Sequence, residues 1–387
     1  MLSLDQAVQL TLAQHPQLGT FLHRREAYQG LVEQVGVAER PGVGLVIEDF
    51  GGNGEHKGFD SAQSTLSISW VMQEALIDQR IKAAQVTATQ VDVQRQIKAL
   101  DLSAQTARLF IQALVDEQRL TLARQAQQQA AGTVNALKKR VDAGKSPEFE
   151  RLQAEVEVAQ RELETEDLQQ VLMSTLYQLR AQWGGERNDF RLAGELLSIP
   201  TLGSVEQQFA QLQQNPTLTL LVTQQRIAES EIELARIEAK PQWQFSVGVR
   251  RFEAGSDFGM VAGVSVPLGK DRGSTGKIRS LQARQAEFAS EAAALQRQLD
   301  TQLYVLLQEI KHSQHVIETL QTRIIPTLNA AHEQATYAYE TGKLGYQQWV
   351  ILLSKKLGAQ QDLLSAVEAI HLQHIELQRL TGTALTF

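Results

Sequence analysis

Cysteine is absent from the sequence, and proline and aromatic residues are scarce. The lack of cysteine excludes disulfides, thiolate metal sites, a cysteine nucleophile and a lipidated N-terminal cysteine in this chain. Aromatic residues make up only 6% of the 387 residues and there are only 8 prolines, whereas glutamine occurs 50 times. This composition is typical of long helices that pack through narrow seams of small side chains.

Long apolar runs and an excess of positive charge are lacking as well. No run of about 18 apolar residues occurs, so we expect no transmembrane helix. The net charge of −7 gives no reason to expect a nucleic-acid partner. The first residues, MLSLDQAVQLTLAQHP, have neither the basic start nor the apolar core of a signal peptide. The P-loop, GxSxG, HExxH and GxGxxG motifs are also missing, so we expect neither an enzyme nor a cofactor.

One series of motifs occurs twice along the chain, at a spacing of about 200 residues. The segment SLDQAVQLTLAQHPQL (3–18) is echoed by SVEQQFAQLQQNPTL (204–218), and a proline and a Gly-Lys turn follow in both halves. The matched positions are Pro16 and Pro216, Pro41 and Pro241, and Gly144 and Gly342.

These matches predict two repeats joined by a short linker. The predicted boundaries are 1–195 for the first repeat, 196–203 for the linker and 204–387 for the second repeat. Within the repeats we expect hairpin strands at about 41–72 and 241–267, and long helical hairpins at about 73–183 and 278–383.

The two segments that begin with proline are predicted to be β-hairpins with strands of about ten residues. In the second strand Leu66, Ile68 and Trp70 point to one side. Ser67 and Ser69 alternate with them. Ten residues suffice for a tilted strand to cross a bilayer, but a hairpin half-buried on a soluble core has the same alternation. The predicted strands are 41–50, 62–71, 241–250 and 258–267, with 251–257 as the second turn.

Two segments almost free of helix breakers predict unusually long helices. Residues 73–141 contain no proline and one glycine, which gives a helix on the order of 100 Å long at 1.5 Å per residue. In residues 278–341 there is no glycine, and Pro326 is the single proline. Helices of this length need partners along their whole length, as in coiled coils.

Each long helix is predicted to end at a Gly-Lys turn and to reverse into a second helix. Gly144 suits a left-handed position at the helix end, Ser146 suits an N-cap, and Pro147 suits the first helical position. In the second turn Gly342 and Gly345 are expected to play similar parts.

Four strands are too few to close a barrel, for which about eight are the usual minimum. An open sheet in a bilayer would leave backbone groups unpaired in hydrocarbon, at high cost. Membrane strands would therefore need sister chains, and three copies would give twelve strands around a lumen. The residues expected to line that lumen are Glu48, Ser67, Ser69, Gln242, Gln244, Ser246 and Arg250.

Several motifs follow one another along the chain: HPQL (15–18) and NPTL (215–218), VSVPLGKDRGSTGKI (264–278), and the turns RVDAGKSPEFERLQAE and YETGKLGYQQWVILL. With these motifs the duplicated unit of helix, hairpin and helical hairpin resembles the TolC-like outer membrane factor family. The segment GFDSAQSTLSISWV (58–71) resembles the CzcC branch, which is associated with heavy-metal efflux.

The resemblance implies a mainly helical protein with four membrane strands. As a homotrimer it would form a twelve-stranded β-barrel in the outer membrane of a Gram-negative bacterium and a long periplasmic α-helical barrel. The trimer would be a passive exit duct that works with a periplasmic adaptor and an inner-membrane pump, the RND type being one candidate. Heavy-metal cations are the favoured cargo, drug efflux and type I protein secretion are alternatives, and a soluble coiled-coil scaffold is the alternative of another class.

In this family the periplasmic turns form the closed aperture, and the sixth residue after the turn glycine is often acidic. Glu150 holds that position in the first turn and Gln348 holds it in the second. Acidic residues from three copies would attract cations, although acids near a helix start can also serve the helix itself. The predicted aperture residues are Gly144, Lys145, Glu148, Glu150, Gly342, Lys343 and Gln348. The two lysines are expected to be solvated, with a carboxylate pair or an adaptor contact as the alternative.

Two histidine pairs have a spacing that can place both rings on one helical face. They are His312 with His315 and His371 with His374. Few carboxylates lie near them, so we expect ordinary surface histidines and no metal site.

Overall fold

The computed structural model describes residues 1–185, 190–268 and 272–383, and the same order of elements occurs twice. The first series is α1 (Leu4–Gln14), α2 (Pro16–Val35), β1 (Gly42–Glu48), β2 (Gln63–Val71), α3 (Glu74–Asp142) and α4 (Glu148–Ala181). The second is α5 (Val205–Leu212), α6 (Pro216–Glu238), β3 (Gln244–Phe252), β4 (Asp257–Ser265), α7 (Arg272–Thr319), α8 (Ile325–Glu340) and α9 (Tyr346–Thr381).

The repeat boundaries at 195 and 204 stay a prediction. Residues 269–271 of the motif at 264–278 and residues 384–387 of the predicted second repeat lie outside the described residues. Within the described ranges, we find no helix that combines the length and the apolar character needed to cross a membrane.

The first helix of each series starts with the same local motif. The hydroxyl of Ser3 accepts a hydrogen bond from the backbone N–H of Gln6, whose side chain accepts one from the N–H of Ser3. Ser204 and Gln207 repeat this capping box at the start of α5. Each motif satisfies backbone donors that a helix start leaves unpaired, so the duplication extends to the caps.

The helix predicted at 278–341 is helical up to Glu340 but contains one π-helical turn. It begins at Arg272, and a π-helical turn, Leu320–Ile324, separates α7 from α8. Pro326 is the second residue of α8, which follows this turn directly. Because proline lacks an N–H and its ring clashes with the preceding turn, a widened turn accommodates it.

The four strands form one antiparallel sheet in the order β1-β2-β3-β4. The two hairpins join through β2 and β3, where Leu66 pairs with Val249. The turn between β3 and β4 covers residues 253–256 rather than the predicted 251–257, and β3 starts at Gln244 rather than at 241. Gln242 therefore precedes the strand in which it was predicted.

The chain divides into two compact units, and both units take segments from both repeats. The sheet unit comprises Thr20–Gln94 and Thr219–Ala294, and it contains all four strands. The helical unit comprises Met1–Gly19, Arg95–Leu218 and Leu295–Phe387.

The helical unit has an apolar core built from α1, α3, α7 and α9. Phe110, Leu303, Ile310 and Ile375 are among its largest fully buried side chains. Burying a side chain of this size contributes about 1.5–3 kcal/mol. Small buried residues such as Ala107 let the helices pack closely, as expected of seams of small side chains.

Candidate functional site

One face of the sheet is apolar and exposed. The register aligns Val43, Ile68, Val247 and Ala262 in one row across the four strands. The next row consists of Leu45, Leu66, Val249 and Met260, and Met260 is 83% exposed. A contiguous apolar surface of this kind marks a face that meets lipid or a partner.

Aromatic side chains lie at both ends of this apolar face. Trp70 and Phe245 stack with ring centroids 6.1 Å apart at the end nearer the helices. At the loop end the guanidinium of Arg251 lies 6.0 Å from the ring centroid of Phe258. Membrane β-barrels carry an apolar band flanked by aromatic residues at both interfaces.

The opposite face of the sheet carries small and polar side chains. Six of the seven predicted lumen residues lie on it, and the seventh, Gln242, precedes the strand. Gly248 must be a glycine, because an added Cβ would lie 2.6 Å from the carbonyl oxygen of Leu66. The six residues are Glu48, Ser67, Ser69, Gln244, Ser246 and Arg250.

Arg250 makes three polar contacts on this face. Its Nη2 lies 3.0 Å from Oε2 of Glu48 on β1. Its Nε donates to Oγ1 of Thr65 at 2.9 Å, and its Nη1 donates to Oε1 of Gln63 at 3.0 Å, both on β2. The contacts hold the guanidinium in place and join three strands near their loop ends.

In the helical unit, the two hairpin turns share one backbone geometry. Gly144 and Gly342 have φ of 68° and 76°, in the left-handed region that favours glycine. The N–H of Lys145 donates to the carbonyl of Arg140 at 2.8 Å, and the N–H of Lys343 donates to that of Ala338 at 2.8 Å. Both turns are therefore glycine C-caps of the Schellman type, as the predicted left-handed glycines require.

The start of α4 differs from the prediction. Pro147, not Ser146, is the N-cap, and the helix begins at Glu148. The hydroxyl of Ser146 instead accepts a hydrogen bond from Nε of Arg140 at 3.2 Å. The predicted cap at Ser146 is wrong because the hydroxyl of this serine binds Arg140 at the end of α3 instead of the start of α4.

The two acids of the first turn have different surroundings. Glu148 is paired with Arg151, which also binds Glu155, and the hydrogen bond from Arg151 lowers the pKa of Glu148. Glu150 is half-buried. In the second turn Gln348 is exposed, as are Lys145 and Lys343.

Aromatic residues of the second hairpin pack against the first hairpin behind these turns. Tyr339 and Trp349 stack with centroids 5.6 Å apart, and Tyr346 packs against both. Leu137 on α3 and Ala154 on α4 complete the cluster from the first hairpin. Burial raises the pKa of Tyr346 to about 12, so its hydroxyl stays neutral. This cluster holds the ends of both hairpins together.

Sequence reasoning missed Arg140, which connects the two hairpins. Its guanidinium lies 4.8 Å from the ring centroid of Tyr339, and its Nη1 donates to the backbone oxygen of that tyrosine at 3.4 Å. The two residues are 199 positions apart. An arginine four residues before a turn glycine has no signature of its own, so sequence periodicity could not have revealed this contact.

The two histidine pairs have different environments. His312 and His315 are exposed, as expected. His371 is only 3% exposed and its Nε2 lies 2.7 Å from the backbone oxygen of Leu196, so the prediction of a surface position is wrong for this residue. Burial lowers the pKa of His371. Among the described residues, no group of three or more potential metal ligands occurs.

Comparison with known proteins agrees with this architecture. Residues 7–185 match the family model described as outer membrane efflux protein. The chain is 25% identical over 347 residues to the cobalt-zinc-cadmium resistance protein CzcC of Cupriavidus metallidurans. The alignment covers 89% of this chain and 81% of that protein.

Solved structures share the fold over almost the whole chain. VceC of Vibrio cholerae superimposes with a TM-score of 0.77 at 17% identity, covering 98% of this chain and 96% of VceC. The open state of the MtrE outer membrane channel of Neisseria gonorrhoeae superimposes with a TM-score of 0.76 at 14% identity, covering 98% of this chain and 89% of MtrE. The first half of the chain thus matches the outer membrane efflux protein family, and the chain shares the fold of the VceC outer membrane protein and of the MtrE outer membrane channel.

Proposed function

We propose that three copies of this chain assemble into a passive exit duct, each giving four strands to a twelve-stranded barrel. The single observation that carries this proposal is a sheet with one apolar exposed face, one polar face and two edge strands. In the described part of the chain β1 pairs only with β2, and β4 pairs only with β3. Unpaired strand edges are too costly in hydrocarbon, so each edge needs a strand from another copy.

The directions of the edge strands support closure by identical chains. In a four-stranded antiparallel sheet β1 and β4 run in opposite directions, so β4 of one copy and β1 of the next can form an antiparallel pair. Twelve strands leave room for a lumen, whereas eight would be filled by side chains. The polar face would then line water and the apolar face would meet lipid.

The proposal includes a periplasmic adaptor and an inner-membrane pump, for which the RND type is one candidate. The helical hairpins end in exposed polar turns that carry Lys145, Lys343 and Gln348, which suits contact with another protein. The predicted aperture lies at these turns. The duct would perform no chemistry, and the pump would supply the energy.

Heavy-metal cations are the proposed cargo. The name of the relative from Cupriavidus metallidurans, a cobalt-zinc-cadmium resistance protein, supports this choice. A strain that lacks the gene should become sensitive to cobalt, zinc and cadmium salts, and the gene should restore growth. Sensitivity to drugs alone, or failure to secrete one protein, would assign the duct to another cargo.

The duct itself is tested on the purified protein. Extracted in detergent, it should cross-link as a trimer, migrate differently on gels before and after heating, and conduct ions across planar bilayers. A monomer that is fully soluble without detergent and forms no channels would contradict the proposal and favour a coiled-coil scaffold.

A further inference from the structure

Charged side chains on the polar face are confined to the loop end of the strands. Among the strand residues of this face only Glu48, Arg250 and Asp257 are charged. They occupy two adjacent rows of the register, since Glu48 pairs with Gln63, Gln63 with Phe252 and Phe252 with Asp257. The remaining rows consist mostly of glycine, serine and other small or neutral residues. The charged strand residues of the polar face therefore all lie near the loops.

The charge of Arg250 is permanent and fixed in position. A guanidinium remains protonated at every physiological pH, and its planar fork is well suited to several simultaneous acceptors. Here the three acceptors are on Glu48, Gln63 and Thr65. Gln63 is itself held, because its Nε2 donates to Oδ2 of Asp49 at 2.8 Å. Arg250 is thus placed at one depth along the strands and has little freedom to swing away.

We propose that Arg250 and Glu48 form the charge filter of the channel, and that Arg250 keeps the loop end of the lumen from retaining the cations that pass it. The inference rests on the proposed trimeric duct. Two carboxylates and one guanidinium leave one net negative charge in these rows per chain, and three in a trimer. Without Arg250 the same rows would carry six negative charges in a trimer.

The proposed cargo explains why this compensation matters. A ring with a small negative charge attracts small inorganic cations, but conduction also requires that each ion leave easily. Six uncompensated carboxylates would hold divalent cations far more strongly than monovalent ones, since the Coulomb energy scales with the charge of the ion. Arg250 therefore determines whether divalent cations pass or are retained.

The neighbouring arginine offers a matched control. Arg251 follows Arg250 on β3 but lies on the apolar face, where it pairs with Glu253 at 3.0 Å and lies over Phe258. Removing either arginine changes the net charge by the same amount. Only the removal of Arg250 changes the charge on the polar face.

The test compares R250Q, R251Q and E48Q with the wild type in planar bilayers under a KCl gradient. R250Q should raise the permeability ratio of K⁺ to Cl⁻ by about twofold or more, because the Debye length of about 10 Å at 0.1 M salt lets the ring act across much of the lumen. Millimolar Zn²⁺ should reduce the K⁺ current of R250Q but not that of R251Q. E48Q, which leaves Arg250 in place, should lower the permeability ratio.

The outcomes separate the inference from the function on which it rests. If the wild type forms no channel, the proposed duct fails. If it conducts but R250Q and R251Q have the same selectivity and the same response to Zn²⁺, the pair is only a brace between strands and the inference is overturned. Should R250Q fail to assemble, E48Q decides, and unchanged selectivity in that variant also overturns the inference.

Discussion

The guanidinium of Arg140 lies 4.8 Å from the ring centroid of Tyr339, so the end of α3 is joined to the corresponding helix of the second repeat. Ser146 completes the connection by accepting a hydrogen bond from the same arginine. Two hairpins related by sequence duplication are thus connected directly behind their turns. If these turns form the aperture of the proposed duct, we expect this contact to stabilise its closed state.

Replacing Arg140 by alanine should loosen this contact. The variant loses the contact with the Tyr339 ring and two hydrogen bonds, and the three interactions together contribute about 1.5–4 kcal/mol. We expect a lower melting temperature of the helical unit in detergent and a larger conductance in planar bilayers. Arg161→Ala is the control, because Arg161 pairs with Glu157 and Glu164 of its own helix and lies further along α4 from the turn. Equal conductance of the two variants would mean that Arg140 does not hold the turns closed.

The two acids of the first turn should contribute unequally to ion selectivity. The charge of Glu148 is offset by Arg151, whose hydrogen bond also lowers the pKa of the glutamate. Glu150→Gln should therefore reduce the permeability of K⁺ relative to Cl⁻ more than Glu148→Gln does, and the double variant should reduce it most. Unchanged selectivity in the double variant would leave these acids with a role in starting α4 only.

The faces of the sheet were predictable, whereas the contacts between the repeats were not. Alternation in a strand is a local pattern, so the sequence alone shows that Leu66 and Ser67 lie on opposite faces of the sheet. The partner of Arg250 is different, because Glu48 lies 202 positions away and only the register of β1, β2 and β3 brings the two together. Both residues were predicted to face the lumen, but their pairing could not be predicted.

The turns also contain one feature that the sequence predicted and one that it did not. The left-handed backbone at Gly144 and Gly342 was predictable from the sequence, since residues other than glycine adopt this conformation rarely. Ser146 has the side chain of a good N-cap, yet it binds Arg140 instead. Capping propensity predicts what a side chain can do for its own helix, but a competing partner such as Arg140 decides what it does.

A charge on the apolar face should impair membrane assembly. Val247→Lys places an ammonium in the middle of the apolar rows, at a cost of roughly 2–4 kcal/mol if this position lies at mid-bilayer. Ser246→Lys is the matched control, because the preceding residue lies on the polar face. We expect the first variant to give less heat-modifiable trimer in the outer membrane fraction and the second to assemble. Similar yields of the two variants would argue against lipid contact by the apolar face.

Buried histidine in the helical unit should make stability depend on pH. Burial lowers the pKa of His371 below the ordinary value of 6.5, and burial also lowers that of His374. Near and below pH 6.5 the unfolded chain therefore binds protons that the folded chain does not. The free energy of unfolding should fall as the pH is lowered from about 6.5 to the pKa of these histidines in the folded state. His371 and His374 line a cavity of about 660 Å³, and the carboxylates of Asp5 and Glu195 line it as well.

His371→Gln tests this dependence. Glutamine keeps a donor for the backbone oxygen of Leu196, which the imidazole Nε2 now contacts at 2.7 Å, but it cannot take up a proton. Melting temperatures measured in detergent between pH 5 and pH 8 should therefore vary less in this variant than in the wild type. His312→Gln, at an exposed position, should retain the full variation. If both variants follow the wild-type curve, the acid sensitivity of the helical unit arises elsewhere, and the buried imidazole of His371 serves packing alone.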